Sequence, residues 1–171
     1  MERLWSPWRL AYVTGEKQDA GCVFCDAAKA AKADAAPRAS SDDSLIVFSG
    51  ATCYVVLNLY PYNNGHLMVA PYRHAATLSA LAAGELQELA LLTQRSEAAL
   101  TEAYSPHGLN VGINLGKPAG AGVLDHVHVH LVPRWNGDTN FMTVVGSVRV
   151  LPEDLRDSAR RLRPIFERLA R

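Results

Sequence analysis

With 171 residues, 49% of them apolar and 20% charged, the chain is long enough to bury one hydrophobic core and falls outside the disordered and low-complexity classes. Lys plus Arg and Asp plus Glu number 17 each, so no net field draws it to nucleic acid or an anionic membrane, and neither is expected as a partner. The opening "MERLWSPWRLAYV" lacks the apolar stretch of a signal peptide and no run approaches the ~20 residues of a membrane span, so a cytoplasmic protein is expected.

In chain order, the first feature is an aromatic N-terminus, Trp5, Trp8 and Tyr12, read either as packing on the domain's own core or a dimer mate, or as a docking face. Next come Cys22 and Cys25 in C-x-x-C spacing. Two thiolates so placed grip one metal ion if two further ligands, most often histidines, close a tetrahedron, and His74 with one later histidine is available. The same spacing serves redox pairs, which usually open a helix after a strand; nothing before Gly21 reads as a parallel-sheet strand. Residues 26–43, "DAAKAAKADAAPRASSDD", read as a connector in which an alanine-rich helix gives way to a polar loop at Pro37.

Two β-branched and aromatic runs, "SLIVFS" and "TCYVVLN", flank Gly50 and predict a hairpin, with Cys53 as core filler. "LYPYNNGH" carries turn chemistry at Pro61 and Asn63–Gly65 and forms a candidate ligand edge before a third strand, "HLMVAP" (66–71). From Ala82 to Tyr104 helix formers dominate, and Leu86, Leu89, Thr93, Ser96, Leu100 and Ala103 trace one stripe. A fourth strand is "GLNVGIN" (108–114), and a fifth carries the histidines. The C-terminal segment starts a helix with Pro152 in its first turn, lines up Leu155, Ala159, Leu162 and Phe166, and is expected to kink or end at Pro164. Strands, one long helix and further strands predict an α+β domain with helices against an antiparallel sheet.

The chemistry concentrates in "DHVHVHLVPRW" (125–135), which holds three of the six histidines. On a strand, His126, His128 and His130 share one face while Val127, Val129 and Leu131 enter the core from the other. Three unpartnered imidazoles on a buried surface would be costly, so this face binds something. Separate tasks for the three rings, about 6.5 to 7 Å apart at this spacing, compete with a three-histidine metal site, although no carboxylate is placed to complete one. Directly upstream, "NLGKPAGAG" (114–122) offers glycine N–H groups and Lys117 to an oxyanion, or is simply a flexible connector; it matches neither a Walker loop nor a dinucleotide fingerprint.

"HVHVHLV" fits the histidine-triad pattern, and the chain resembles the histidine-triad (HIT) superfamily. The similarity extends to the bacterial branch containing diadenosine tetraphosphate phosphorylases through "RLWSPWRLAYV", "LNLYPYNNGHLMVAPYRH", "GLNVGINLG" and "HVHVHLVPRWNGDTNFM". The resemblance implies an α+β HIT-like fold with a five-stranded antiparallel sheet, a long central helix and a C-terminal helix. It implies one domain over 1–171, with an N-terminal extension (1–43), a catalytic core (44–135) and a C-terminal extension (136–171). It implies nucleotidyl transfer at an α-phosphate, as a dinucleoside polyphosphate phosphorylase or hydrolase, and a homodimer or a tetramer made of two such dimers.

By matching positions, His128 becomes the nucleophile, while His130 and His66 bond phosphate oxygens or assist the leaving group. Cys22, Cys25, His74 and His126 become ligands of a structural zinc. Asn58 falls where relatives hold the ribose, and Asn114, Lys117, Gly120 and Gly122 fall around the phosphates. Several relatives carry Gln, Ser or Thr where this chain has Gly122, leaving a backbone N–H or Lys117 to take that contact. A nucleoside phosphoramidase, a general HIT hydrolase and a non-catalytic adenine-nucleotide sensor are the alternative readings.

Overall fold

A computed structural model of the chain describes residues 21–33, 44–138 and 153–171. The aromatic cluster at Trp5, Trp8 and Tyr12, and Pro37 and Pro152, lie outside the described residues. Helix α1 (Val23–Ala33) is followed by strands β1 (Ile46–Ser49), β2 (Cys53–Leu57) and β3 (Leu67–Pro71), helix α2 (Ala83–Tyr104), strands β4 (Gly108–Ile113) and β5 (Val129–Arg134), and helix α3 (Leu155–Leu169). The five strands form one antiparallel sheet in the order β1-β2-β3-β5-β4. The α+β architecture expected from the sequence is therefore present, with β4 at one edge and the histidine strand beside it.

β2 explains how the sheet is covered. Its five residues are all buried, because successive side chains of a strand point to opposite faces and here both faces are packed. Cys53, Val55 and Leu57 join Leu67, Val69, Val129 and Leu131 in a core closed by Leu89, Leu92 and Leu100 of α2 and by Ala159, Leu162 and Phe166 of α3. Tyr54 and Val56 face the other way, onto Phe24 and Ala28 of α1. The segment read as a connector is thus the cover of the sheet's second face, and its helix starts at Val23, before the alanine-rich stretch.

The stripe on α2 is rotated from the expected one. Leu89, Ser96 and Leu100 are buried as anticipated, but Leu92 and Ala99 join them and Leu86 is exposed. α2 packs on the sheet and on α3 together, so its apolar face is centred between the two contacts. At its start the Ala82 N–H donates to the Glu85 carboxylate, and Ser105 in the left-handed region, ahead of Pro106, ends it. Glu88, one turn on, accepts N–H bonds from Ala51 and Cys53 at 2.8 and 2.9 Å, pinning the β1–β2 turn to the helix.

α3 begins later than expected: Asp154 caps it by accepting from the Arg156 N–H. It also runs through Pro164 to Leu169 rather than ending there. A proline inside a helix costs about 3 kcal/mol, while the buried Leu162 and Phe166 flanking it return about 1.5–3 kcal/mol each, so packing prevails. No helix among the described residues is long and apolar enough to cross a membrane.

Candidate active site and metal centre

β3 and β5 pair with Val69 opposite Val129 and Met68 opposite His130. Upstream of β5 the extended chain continues, with the Val127 N–H donating to the Ala75 carbonyl at 2.7 Å. Val127, Val129 and Leu131 are all buried, and the three imidazoles take the other face, the one covered by α1. The alternation predicted from the sequence is therefore present. Among the described residues every fully buried side-chain nitrogen and oxygen has a hydrogen-bond partner, and each triad histidine has its Nδ1 within hydrogen-bonding reach of a protein atom.

The His128 Nδ1 lies 2.8 Å from the His126 carbonyl oxygen. A carbonyl only accepts, so the neutral ring holds its proton on Nδ1 and keeps the lone pair on Nε2. The ring is packed against Phe24, with centroids 4.4 Å apart, and meets His130 edge-on at 4.7 Å. Burial pushes its pKa below the ordinary histidine value, which favours the neutral form.

His130 is oriented by a chain of bonds running inward. Its Nδ1 is 3.0 Å from His66 Nε2, and His66 Nδ1 accepts the Tyr62 N–H at 3.1 Å with the Asn58 amide nitrogen 3.3 Å away. The Tyr62 N–H can only donate, so the His66 proton sits on Nε2 and is given to His130 Nδ1, which places the proton of neutral His130 on its Nε2. His66 is 0% exposed, and burial followed by the adjacent His130 and His128 lowers its pKa to about 3. Of the two tasks expected of His66, phosphate contact or assistance to the leaving group, the first finds no open ring nitrogen here: Nδ1 accepts from Tyr62 and Nε2 donates to His130. Asn58 is likewise turned inward, its Oδ1 accepting the Tyr60 N–H at 2.9 Å.

The loop before His66 is built to hold this arrangement. Gly65 has φ 72°, and a Cβ there would sit 2.8 Å from the Tyr104 ring, so glycine is required on both counts. Tyr62 stacks on the His66 ring at 5.0 Å. The buried Asn63 donates to the Pro133 carbonyl at 2.9 Å and to Asp138 at 2.8 Å, and Asp138 is held well below the usual carboxylate range chiefly by Arg134. Asn63, Tyr62 and Phe24 are site-forming residues that sequence reasoning missed. The first was legible only as a turn former.

A second cluster lies at the other end of the triad. Cys22 Sγ is 3.3 Å from His126 Nδ1, Cys25 Sγ is 3.3 Å from His74 Nδ1 and 3.6 Å from His126 Nδ1, and the four donor atoms lie within 4.8 Å of one another. Metal–ligand bonds of about 2.3 Å to sulfur and 2.0 Å to nitrogen make the sulfur–nitrogen edge of a tetrahedron roughly 3.5 Å, so the donor set fits a tetrahedral cation of the zinc type. His126 Nε2 donates to the Pro71 carbonyl at 2.9 Å, which leaves Nδ1 as the ligating atom. Burial, and then the neighbouring Cys22, push the Cys25 thiol up, so its thiolate form is favoured only with a cation beside it. The C-x-x-C does open a helix, as redox pairs do, but both sulfurs face imidazole nitrogens. A three-histidine site is not formed, because His128 and His130 direct their Nδ1 atoms elsewhere.

The glycine loop is placed by connectivity. Ile113 pairs with Val129, so Asn114 leaves the sheet beside His128, and the chain returns through a short 3-10 turn, Lys117–Ala119. Lys117 and Gly122 are exposed. Gly120, at φ 89°, donates its N–H to the Lys117 carbonyl at 3.0 Å, so the N–H offered to phosphate by the sequence reading closes the turn instead.

Comparison with known proteins agrees with these features. The HIT domain family model matches residues 39–137. The chain is 43% identical over 164 residues to the "AP-4-A phosphorylase" of Mycobacterium tuberculosis H37Rv, covering 95% of this chain and 83% of that protein. It is 30% identical to a "Bis(5'-adenosyl)-triphosphatase" of Dictyostelium discoideum, covering 72% and 87% of the two chains. Among solved structures, a zinc-bound histidine triad family protein from Mycobacterium smegmatis superposes with a TM-score of 0.66 at 29% identity, covering 88% of this chain and 96% of that one. A hypothetical histidine triad nucleotide-binding protein from Sulfolobus tokodaii gives 0.67 at 25%, covering 88% and 95%. A triad of alternating histidines on a five-stranded sheet, matched along its length by such relatives, means that the chain belongs to the HIT family.

Proposed function

We propose that the protein is an enzyme that cleaves dinucleoside polyphosphates by nucleotidyl transfer through His128. The observation that carries this reading is the His128 Nδ1 bond to the His126 carbonyl, which leaves a neutral imidazole with its lone pair on Nε2. That lone pair attacks the α-phosphorus, the bond to the polyphosphate oxygen breaks with its electrons on the leaving oxygen, and His130, with its proton on Nε2, stabilises that oxygen or protonates it. In the second step an oxygen of phosphate or water attacks, and the phosphorus–nitrogen electrons return to His128. His66 and Asn58 orient His130; Asn114, Lys117 and the Gly122 backbone line the phosphate side.

Zinc is the cation best suited to Cys22, Cys25, His74 and His126, and with its four ligands from protein it supplies a structural cross-link rather than an activated water. A homodimer suits the open edge at β4, where Val111 is 51% exposed although it pairs with the core residue Leu131. The similarity to the mycobacterial phosphorylase favours phosphate as the second acceptor.

The test is incubation with diadenosine tetraphosphate, with and without phosphate, and separation of the products. ADP with ATP indicates phosphorolysis; AMP with ATP indicates asymmetric hydrolysis. His128→Asn should fold normally and lose at least about a thousandfold in turnover. Tight binding of the nucleotide without conversion by wild-type protein would refute catalysis and leave a sensor.

A further inference from the structure

We propose that Phe24 is a positioning residue that fixes the plane of the His128 ring, so that the docking of α1 sets the rate of turnover. The proposal rests on the reading of His128 as nucleophile. Phe24 lies between the two cysteines of the C-x-x-C, is buried, and presents its ring to His128 at a centroid distance of 4.4 Å and to His126 at 5.3 Å. Its own backbone is held: the carbonyl accepts the buried Tyr54 hydroxyl at 2.7 Å, and the neighbouring cysteine sulfurs face His126 and His74.

The bond from Nδ1 to the His126 carbonyl fixes one atom of the His128 ring but leaves rotation about that contact. Two further surfaces stop it. His130 meets the ring edge-on at 4.7 Å, and Phe24 packs at an interplanar angle of 35°. His130 is itself fixed through His66, whereas Phe24 is fixed through α1. The aim of Nε2 is therefore set from two directions, one within the sheet and one from the helix that covers it. Displacing a reacting atom by about 1 Å is enough to cost about 10²-fold in rate.

The test uses the full, zinc-loaded chain and compares wild type with Phe24→Ala and Phe24→Leu. Each is measured for melting, metal content, kcat and KM with diadenosine tetraphosphate, and by nitrogen NMR of the His128 imidazole at one pH. Phe24→Ala should lower kcat about 10²-fold while KM moves less than about threefold. Phe24→Leu, which keeps volume but not the flat ring, should fall between, about tenfold down. The Nδ1–H tautomer should persist in all three, whereas the His128 ring resonances should be single and sharp in wild type and exchange-broadened in both variants. A folded, metal-replete Phe24→Ala with wild-type kcat overturns the proposal. Should Phe24→Ala fail to fold, wild-type kcat in Phe24→Leu does so. If wild-type protein turns over no dinucleotide, the functional reading falls while the NMR comparison still decides: broadening in the variants alone supports Phe24 as the wall, and identical spectra refute it.

Discussion

Tyr54→Phe removes one oxygen atom from the joint between α1 and the sheet. The Tyr54 hydroxyl, fully buried in β2, donates to the Phe24 carbonyl at 2.7 Å. Burial pushes the phenol's pKa far up, so it remains a neutral donor throughout any practical pH range. The Phe24 carbonyl sits inside α1 and keeps its helical partner four residues on, so deletion does not orphan it. The loss is then that of a neutral bond, about 0.5–1.5 kcal/mol, which shifts the docking equilibrium of α1 by about 2- to 13-fold. For a domain of this size the melting temperature falls by about 2–4 °C per kcal/mol. Two assays separate local from global effects: thermal melting by circular dichroism, and the rate at which zinc passes to a chromogenic chelator. Zinc release should quicken by about the docking factor while the urea m-value stays constant. Unchanged release with a lowered melting temperature would mean that the hydroxyl braces the sheet alone, and the coupling of α1 to the metal centre would be refuted.

Stability should fall as pH is lowered from 7 to 5. The His66 pKa is about 3 in the folded protein against an ordinary 6.5, so between these values the unfolded chain binds the extra proton and stability drops by about 1.4 kcal/mol per pH unit; melting scans should show this slope, flattened in His66→Asn, and a pH-independent melting temperature would contradict it. Elemental analysis should find about one zinc per chain in wild type and far less in Cys25→Ser, where a neutral hydroxyl replaces a thiolate facing His74. Val111→Arg should convert a dimer to a monomer in sedimentation equilibrium, with the far-UV spectrum retained; an unchanged mass would place the interface elsewhere.

Much of this architecture was legible from local pattern. The strands declared themselves through β-branched runs bounded by Gly50, Pro61 and Gly65, and the period of two in 126–131 placed Val127, Val129 and Leu131 on one face of the sheet and the histidines on the other. Other features depend on packing that no short window encodes. The α2 stripe rotated because a helix facing a sheet and a second helix buries a wider arc than one contact would, taking in Leu92 and Ala99. α1 passed for a connector because alanines carry little periodic signal, and Phe24 stands alone between two cysteines. The candidate metal ligands span residues 22 to 126; spacing and ligand type offered Cys22, Cys25, His74 and one later histidine, and only family resemblance singled out His126; their convergence needs the β3 end and the start of β5 to meet. Asn63 looked like an ordinary turn residue because its partners, Pro133 and Asp138, are about 70 residues away in sequence.

β4 is the outermost strand on its side, and most of its residues and of the loop that follows are exposed, whereas the histidines are anchored on the side of β3 and α1. Under the proposed function, the residues that meet the phosphates and the ring that reacts are consequently mounted on separate supports. On that reading, exchanges at the exposed positions between Asn114 and Leu124 should retune which ester enters at little thermodynamic penalty, while β5 stays in register. A scaffold divided in this way is open to laboratory redirection toward new phosphate-bearing compounds one loop at a time.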